Sequence, residues 1–131
     1  MCPPPFICAG GGVKRSFIIR TTDQGLKAEK VVTDLLEQEG FEIIDRNWKT
    51  KVCEIDIIAQ ADKVIYFVEV KFRGGDTQGS GFEYVTVQKQ RQMNFAARLW
   101  CQTYKWDNDY RLMAAAVSGL DCENIEIIEL D

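Results

Sequence analysis

Asp56 and Glu69 stand with twelve residues between them, each inside a run that is otherwise apolar, in Glu54-Ile55-Asp56 and Glu69-Val70-Lys71. Carboxylates so placed suit a hard divalent cation such as Mg²⁺ (or Mn²⁺), which takes oxygen ligands from one or two carboxylates, waters and substrate phosphate. The chemistry such an ion supplies is polarisation of a phosphoryl oxygen and acidification of a coordinated water, which is phosphodiester hydrolysis without a general-base histidine. Lys71, two residues beyond Glu69, is then placed to contact a phosphate or orient a water. The 131-residue chain has no histidine. That excludes a Ser-His-Asp triad, a histidine-based nuclease of the HNH type and a Cys/His zinc site, and leaves a carboxylate mechanism untouched.

These residues need a hairpin to meet. Lys51 to Ala59 and Val64 to Phe72 are rich in Val, Ile, Phe and Tyr and read as strands, with Gln60-Ala61-Asp62-Lys63 as the turn between them. A turn centred between Asp62 and Lys63 sets residues opposite each other when their numbers sum to 125, so Asp56 faces Glu69 and Glu54 faces Lys71. Period-two alternation puts all four on one face of the sheet. Directly opposed like charges destabilise the pair, so a positive group must compensate. An ordinary solvent-facing side of a half-buried sheet would also carry alternating charges, and the hairpin by itself does not separate the two readings.

Two helices add further candidates. Thr21-Thr22-Asp23 offers N-caps, Gly40 a stop, and Leu26, Val32, Leu35 and Leu36 an apolar stripe between them. Glu29 falls within that stripe, either snorkelling at its edge or aimed at the cleft of Asp56 and Glu69 as the third acid. A second helix is expected from about Thr86 to Tyr104, with Met93, Ala96, Ala97 and Trp100 on its apolar face. Lys89 shares that face four residues before Met93, and Gln88 is its neighbour, although lysines at helix starts are commonly just solvated.

The array Gly25-x-x-Ala28-Glu29, Gly40-Phe41, Arg46-Asn47-Trp48, Glu54-Ile55-Asp56-Ile57-Ile58-Ala59, Val68-Glu69-Val70-Lys71-x-Arg73, Val85-x-x-x-Lys89 and Ala96-Ala97 resembles the YraN-like family of predicted bacterial endonucleases. That family is similar to archaeal Holliday junction resolvases within the PD-(D/E)XK nuclease superfamily, and the resemblance runs from about Gly25 to Val117. It implies an α/β fold of restriction-endonuclease type, with a central mixed sheet flanked by helices in the order α-β-β-β-α-β, plus a C-terminal strand here. It implies that Asp56 and Glu69 bind the metal with the Val70 carbonyl as a further ligand, and that Lys71 is the catalytic lysine. Glu29 would be the acid of the first helix, and Gln88 or Lys89 the polar residue of the second. Two departures stand out: Cys53 occupies the place of a glycine before the Glu-Ile-Asp run, and Met113 replaces an acidic residue two positions after Arg111.

Composition is that of an ordinary protein, and the length is that of one domain, with residues 1–20 as a flexible extension and 21–131 as the nuclease-like domain. The extension contains Pro3-Pro4-Pro5, Gly10-Gly11-Gly12 and a basic end at Lys14, Arg15 and Arg20; it reads as an unremarkable tail in preference to a phosphate-touching arm. Five scattered cysteines without Cys-x-x-Cys spacing suggest reduced thiols and a cytoplasmic location. No run is long enough to span a membrane, and the start does not read as a signal peptide. The net charge of −4 has the wrong sign for a nucleic-acid binder, but five of the acids fall in the last eleven residues, leaving 16 basic against 15 acidic residues elsewhere. Arg46, Lys49, Lys51, Lys71, Arg73, Lys89 and Arg91 cluster in sequence around the candidate site, as a phosphate groove or as a mixed solvated surface. The glycine-rich loop Gly74 to Gly81 is either a lid or a long connection. Phe82, Tyr84, Trp100, Tyr104 and Trp106 are candidates for base stacking, with Trp100 and Tyr104 favoured as core.

The expected function is therefore a Mg²⁺- or Mn²⁺-dependent nuclease acting on DNA, as a homodimer by analogy with the resolvases. Its rivals are a non-catalytic nucleic-acid-binding or structural module on the same fold, and an RNA-cleaving toxin-like domain.

Overall fold

The structure is a computed structural model and describes residues 21–73 and 82–130, with the side chains of 21–24 left aside. The expectations for residues 1–20 and for the loop Gly74 to Gly81 lie outside the described residues. The chain is mixed α/β: α1 (Thr21–Gln38), β1 (Glu42–Lys49), β2 (Glu54–Ala61), β3 (Val64–Arg73), α2 (Val87–Thr103), β4 (Tyr110–Ser118) and β5 (Asn124–Leu130). The strands form one five-stranded sheet in the order β1-β2-β3-β4-β5, in which only β3 and β4 run parallel.

Each helix covers one face of this sheet. On the α1 side lie Ala28, Val31, Val32 and Leu36 with Ile57, Ala59, Tyr66, Val68, Met113 and Ala115. On the α2 side lie Met93, Ala96, Ala97 and Trp100 with Ile58, Ile65, Phe67, Leu112 and Ala114. Burial on both faces makes β3 and β4 near-continuous apolar runs, as parallel strands require. Met113 fills the α1-side core with no exposed surface, so this position serves packing here.

The local signals that end α1 are specific. Gly40 adopts φ 97°, the left-handed region that a Cβ would disfavour. Phe41 N–H then bonds Leu36 C=O at 2.9 Å and Gly40 N–H bonds Glu37 C=O at 3.1 Å, a Schellman stop with Phe41 and Leu36 both in the core. The buried stripe of α1 is Ala28, Val31, Val32 and Leu36, with Leu35 partly buried. Leu26 is exposed and does not belong to it, because the Ala28 face turns it about 160° away from the core line. At α2, Thr86 is the N-cap and accepts the Lys89 N–H at 3.1 Å, a bond that fixes where the helix begins.

The hairpin turn is Asp62-Lys63, both with positive φ (51° and 65°), the geometry of a type I′ turn. Its register follows the sum of 125, from Ala61↔Val64 to Ile57↔Val68. Residues 51–53, expected in the strand, instead form the turn into β2, closed by Thr50 N–H to Cys53 C=O at 2.8 Å.

Candidate functional site at a fork in the sheet

The β2–β3 ladder ends at Ile57↔Val68, although both strands run on. Beyond that point β2 stays paired with β1 as far as Lys49↔Glu54, and β3 stays paired with β4 as far as Arg73↔Ser118. The sheet therefore forks. The expected cross-strand pairs Asp56 with Glu69 and Glu54 with Lys71 do not form as ladder pairs, and the cause lies in Asp56 itself. Its Oδ2 accepts the Val70 N–H at 2.8 Å, so a side-chain carboxylate takes the donor that a backbone carbonyl would otherwise satisfy.

Side-chain alternation also breaks there. Ile55 and Ile58 both pack on the α2 side, while Ile57 and Ala59 pack on the α1 side. The expectation that Glu54, Asp56, Glu69 and Lys71 share one face is corrected accordingly, because Asp56 is turned into the gap between the strands. In that position it meets charges from both sides of the sheet. Burial, then the charge of Glu69, pushes the Asp56 carboxyl up to about 6, with Glu54 adding and the Val70 N–H and Lys89 opposing.

Glu29 approaches from α1. Its carboxyl is raised by burial and then by the charge of Asp56, offset in part by the Asn47 side-chain amide and by Arg46. Its Oε1 is buried and has no hydrogen-bond partner among the described residues. A buried carboxylate oxygen left in this state costs free energy unless a donor or cation meets it. Asn47, with φ 53° in the middle of β1, is a contributor that the sequence reading quoted only within a motif; an asparagine in an otherwise strand-like run is the available signal, since Asn tolerates the left-handed region.

From the α2 side, Lys89 Nζ reaches Glu69 Oε2 at 3.1 Å. Gln88, Lys89, Glu54, Glu69 and Cys53 line a cavity of about 480 Å³. A larger one, about 560 Å³, lies on the opposite flank of α2 over β4 and β5 and contains none of the three acids. Of the three acids, Glu69 alone lines the smaller cavity, together with Lys89. Tyr84, just ahead of α2, has its hydroxyl held neutral by burial and then by the charges of Glu69 and Asp56, and this hydroxyl donates to Ala115 C=O at 3.5 Å. Among the aromatic residues, Trp100 is core, stacked edge-on to Phe67 at 5.5 Å, whereas Tyr104 is 55 % exposed and not core.

The remaining basic candidates are dispersed. Glu54 pairs with Lys49 at 3.9 Å on the neighbouring strand and not with Lys71, because β1 is in register with β2 where β3 has departed. Lys71 lies on the exposed part of β3 opposite Ala116 and makes no ion pair among the described residues. Arg73 is half-buried and its charge reaches Tyr84. Lys51 is exposed in the β1–β2 turn and does not line the acidic cavity. Among the described residues no three His, Cys, Asp or Glu side chains converge closely enough to cage an ion. The donor set is oxygen only, with Asp56 and Glu69 at the fork and the buried Glu29 Oε1 beside it. It fits Mg²⁺ or Mn²⁺ held by few protein ligands and completed by waters and substrate, and it does not fit a closed structural site. No helix among the described residues is long and apolar enough to cross a membrane.

Residues 28–128, which include all of Glu29, Asp56, Glu69, Lys71 and Lys89, match the model of a family described as uncharacterised protein family UPF0102. The chain is 37% identical over 107 residues to a UPF0102 protein of Vibrio campbellii, covering 78% of this chain and 88% of that one. A UPF0102 protein of Vibrio parahaemolyticus is 38% identical over 106 residues, covering 78% and 88%. One from a Sulfurovum species is 38% identical over 107 residues, covering 81% and 93%.

Proposed function

This chain belongs to uncharacterised protein family UPF0102, and from its forked sheet we propose that it is a metal-dependent nuclease of the PD-(D/E)XK type that hydrolyses phosphodiester bonds in DNA. One observation carries the reading. The carboxyl of Asp56 sits at the parting of β2 and β3, anchored by the Val70 N–H, beside Glu69 and near a buried Glu29 oxygen that has no partner. A fold keeps such an acidic cluster against its desolvation cost when a cation is part of its working state.

In this reading Asp56 and Glu69 hold Mg²⁺ or Mn²⁺, with the Val70 carbonyl as a third ligand. The chemistry supplied there is Lewis-acid polarisation of the scissile phosphate and a lowered pKa for the attacking water. The Val70 N–H fixes the Asp56 carboxylate so that its other oxygen is presented to the cleft. Glu29 orients water from the α1 side, as acids beside a metal site do. Lys89 neutralises Glu69 in the resting protein, and Lys71, exposed two residues on, takes the phosphate that enters. Gln88, Lys49, Lys51 and Arg73 would line the approach of the strand.

The Lys89–Glu69 ion pair also favours a second reading, in which the lysine permanently takes the cation's place and the domain binds nucleic acid without cutting it. Incubation with branched, nicked and linear DNA and a structured RNA, with Mg²⁺ or Mn²⁺, separates the readings. Metal-dependent DNA cleavage lost in both Asp56→Ala and Glu69→Ala is the expected result. Binding without cleavage, unchanged by either substitution, would sink the nuclease; cleavage of RNA alone would move it to the RNA-cleaving alternative.

A further inference from the structure

The outer face of α2 carries a feature that the acidic site does not use. α2 spans 17 residues with Lys89, Arg91 and Arg98 and no acidic residue, in a chain whose net charge is −4. Arg91, Phe95 and Arg98 follow at i, i+4 and i+7, so they form one stripe, diametrically opposite the buried Met93, Ala96, Ala97 and Trp100. Phe95 is 55 % exposed, a large aromatic side chain in solvent on a helix that has an apolar face available for it elsewhere. With about 1.5 Å of rise per residue the two guanidinium-bearing positions are about 10 Å apart along the axis, and the ring lies between them.

This stripe is continuous with the fork. The cavity that contains Glu54 and Glu69 is also walled by Arg91 and Phe95. The next cavity along the helix shares both residues and extends to Arg98 and Gln102. A path of cationic and aromatic groups thus leads from the carboxylates along α2. Phe95 is one of several exposed apolar side chains, and what sets it apart is its place between two arginines on one stripe. A polyanion with flat apolar faces supplies the complement: phosphates for the guanidinium groups and a base for the ring. Paired bases are stacked inside a duplex and do not offer a face to a side chain. A ring that stacks on a base would therefore favour strand that is already unpaired.

Resting on the nuclease reading for the position of the scissile bond, we propose that Arg91, Phe95 and Arg98 form a track for an unpaired DNA strand, with Phe95 stacking a base and the arginines holding the flanking phosphates. The substrate class that follows is DNA with a single-stranded segment next to the cut, such as a flap, a splayed fork or an open junction arm.

The test measures binding and cleavage separately. Fluorescence anisotropy in EDTA follows a labelled single-stranded oligonucleotide, a splayed fork, a blunt duplex and an RNA of the single-strand sequence. The proteins are wild type, Phe95→Ala, Phe95→Trp, Arg91→Gln and Arg98→Gln, each checked for folding by circular dichroism. The expected result is tighter binding of single strand and fork than of duplex, weakened about tenfold by Phe95→Ala and restored by Phe95→Trp. Each arginine substitution should reduce the steepness of log K against log salt by about 0.7. Equal affinity of Phe95→Ala and wild type for single strand overturns the track, as do preference for blunt duplex and tighter binding of the RNA. Cleavage with Mg²⁺ or Mn²⁺ is then assayed on the same substrates. Phe95-dependent binding without cleavage upholds the track while overturning the nuclease; cleavage indifferent to Phe95 does the reverse.

Discussion

Replacing Asp56 by asparagine isolates the electrostatic load at the fork, because the amide keeps an oxygen to accept the Val70 N–H and removes only the charge. The carboxyl, whose ordinary value is 3.8, titrates at about 6 in the folded protein, for reasons of burial first and the Glu69 charge second. The difference corresponds to about 3 kcal/mol between its ionised and neutral forms. Since the folded value is the higher one, the folded state binds the proton more tightly. The contribution of this group to stability is then most favourable below about pH 4 and declines as pH rises to about 6, where it levels off. At pH 7.5 the wild-type protein therefore carries the full unfavourable load, and Asp56→Asn should relieve about 2 kcal/mol of it after the cost of burying an amide is set against the gain. For a domain of this size that is a rise of about 8 °C in melting temperature. Thermal and urea unfolding in EDTA between pH 4 and 7.5 measure it. The stabilisation should shrink as pH falls and turn into a slight destabilisation near pH 4, where the remaining charge relief is smaller than the cost of about 1 kcal/mol for the buried amide. Divalent ion should act the other way, stabilising wild type by about 2.7 kcal/mol at a hundredfold excess over its dissociation constant and leaving Asp56→Asn with little gain. An asparagine variant that is no more stable than wild type at pH 7.5, or a difference that does not change with pH, refutes the electrostatic reasoning.

Glu29→Gln should leave stability in EDTA unchanged or raised, because it removes a charge that burial and then Asp56 disfavour, yet weaken Mg²⁺ or Mn²⁺ affinity about 10- to 100-fold in a metal titration of the melting temperature. Trp100→Ala opens a cavity where a side chain only 6 % exposed meets Phe67 edge-on, and should cost about 3–5 kcal/mol in urea unfolding without altering the charge cluster.

Residue types and spacing made some of this architecture readable in advance. A start near Thr86 and Met93, Ala96, Ala97 and Trp100 as a buried line gave α2 almost residue for residue, since 3.6-residue periodicity is a local property, whereas the capping role of Thr86 came only with the structure. The turn at Asp62-Lys63 and the hairpin register were legible for the same reason. What failed was extrapolation of that register past Ile57 and Val68. Period-two arithmetic has no way to know that a carboxylate will take the place of a backbone acceptor and end the ladder. Leu26 was misread because an apolar residue one turn before Glu29 fits a helical stripe until the tertiary partner selects the Ala28 line instead. The Glu54–Lys49 and Glu69–Lys89 pairs depend on β1 pairing and on where α2 docks, both non-local, so no spacing rule announced them.

The parallel contact between β3 and β4 has a consequence for the order in which the chain comes together. Ile65 pairs with Tyr110 across the whole α2 crossover, whereas Ala61 and Val64 are joined by a two-residue turn. Loop-closure entropy therefore favours the hairpin first, on a microsecond scale, and delays the parallel contact until α2 has formed and folded back. During that interval Asp56 and Glu69 are brought close with Lys89 still undocked, while the site remains open to solvent. A divalent ion present early would relieve the repulsion at that stage. Refolding rate should then rise with Mg²⁺ in the wild type, with the hairpin's carboxylates acting as a nucleation point.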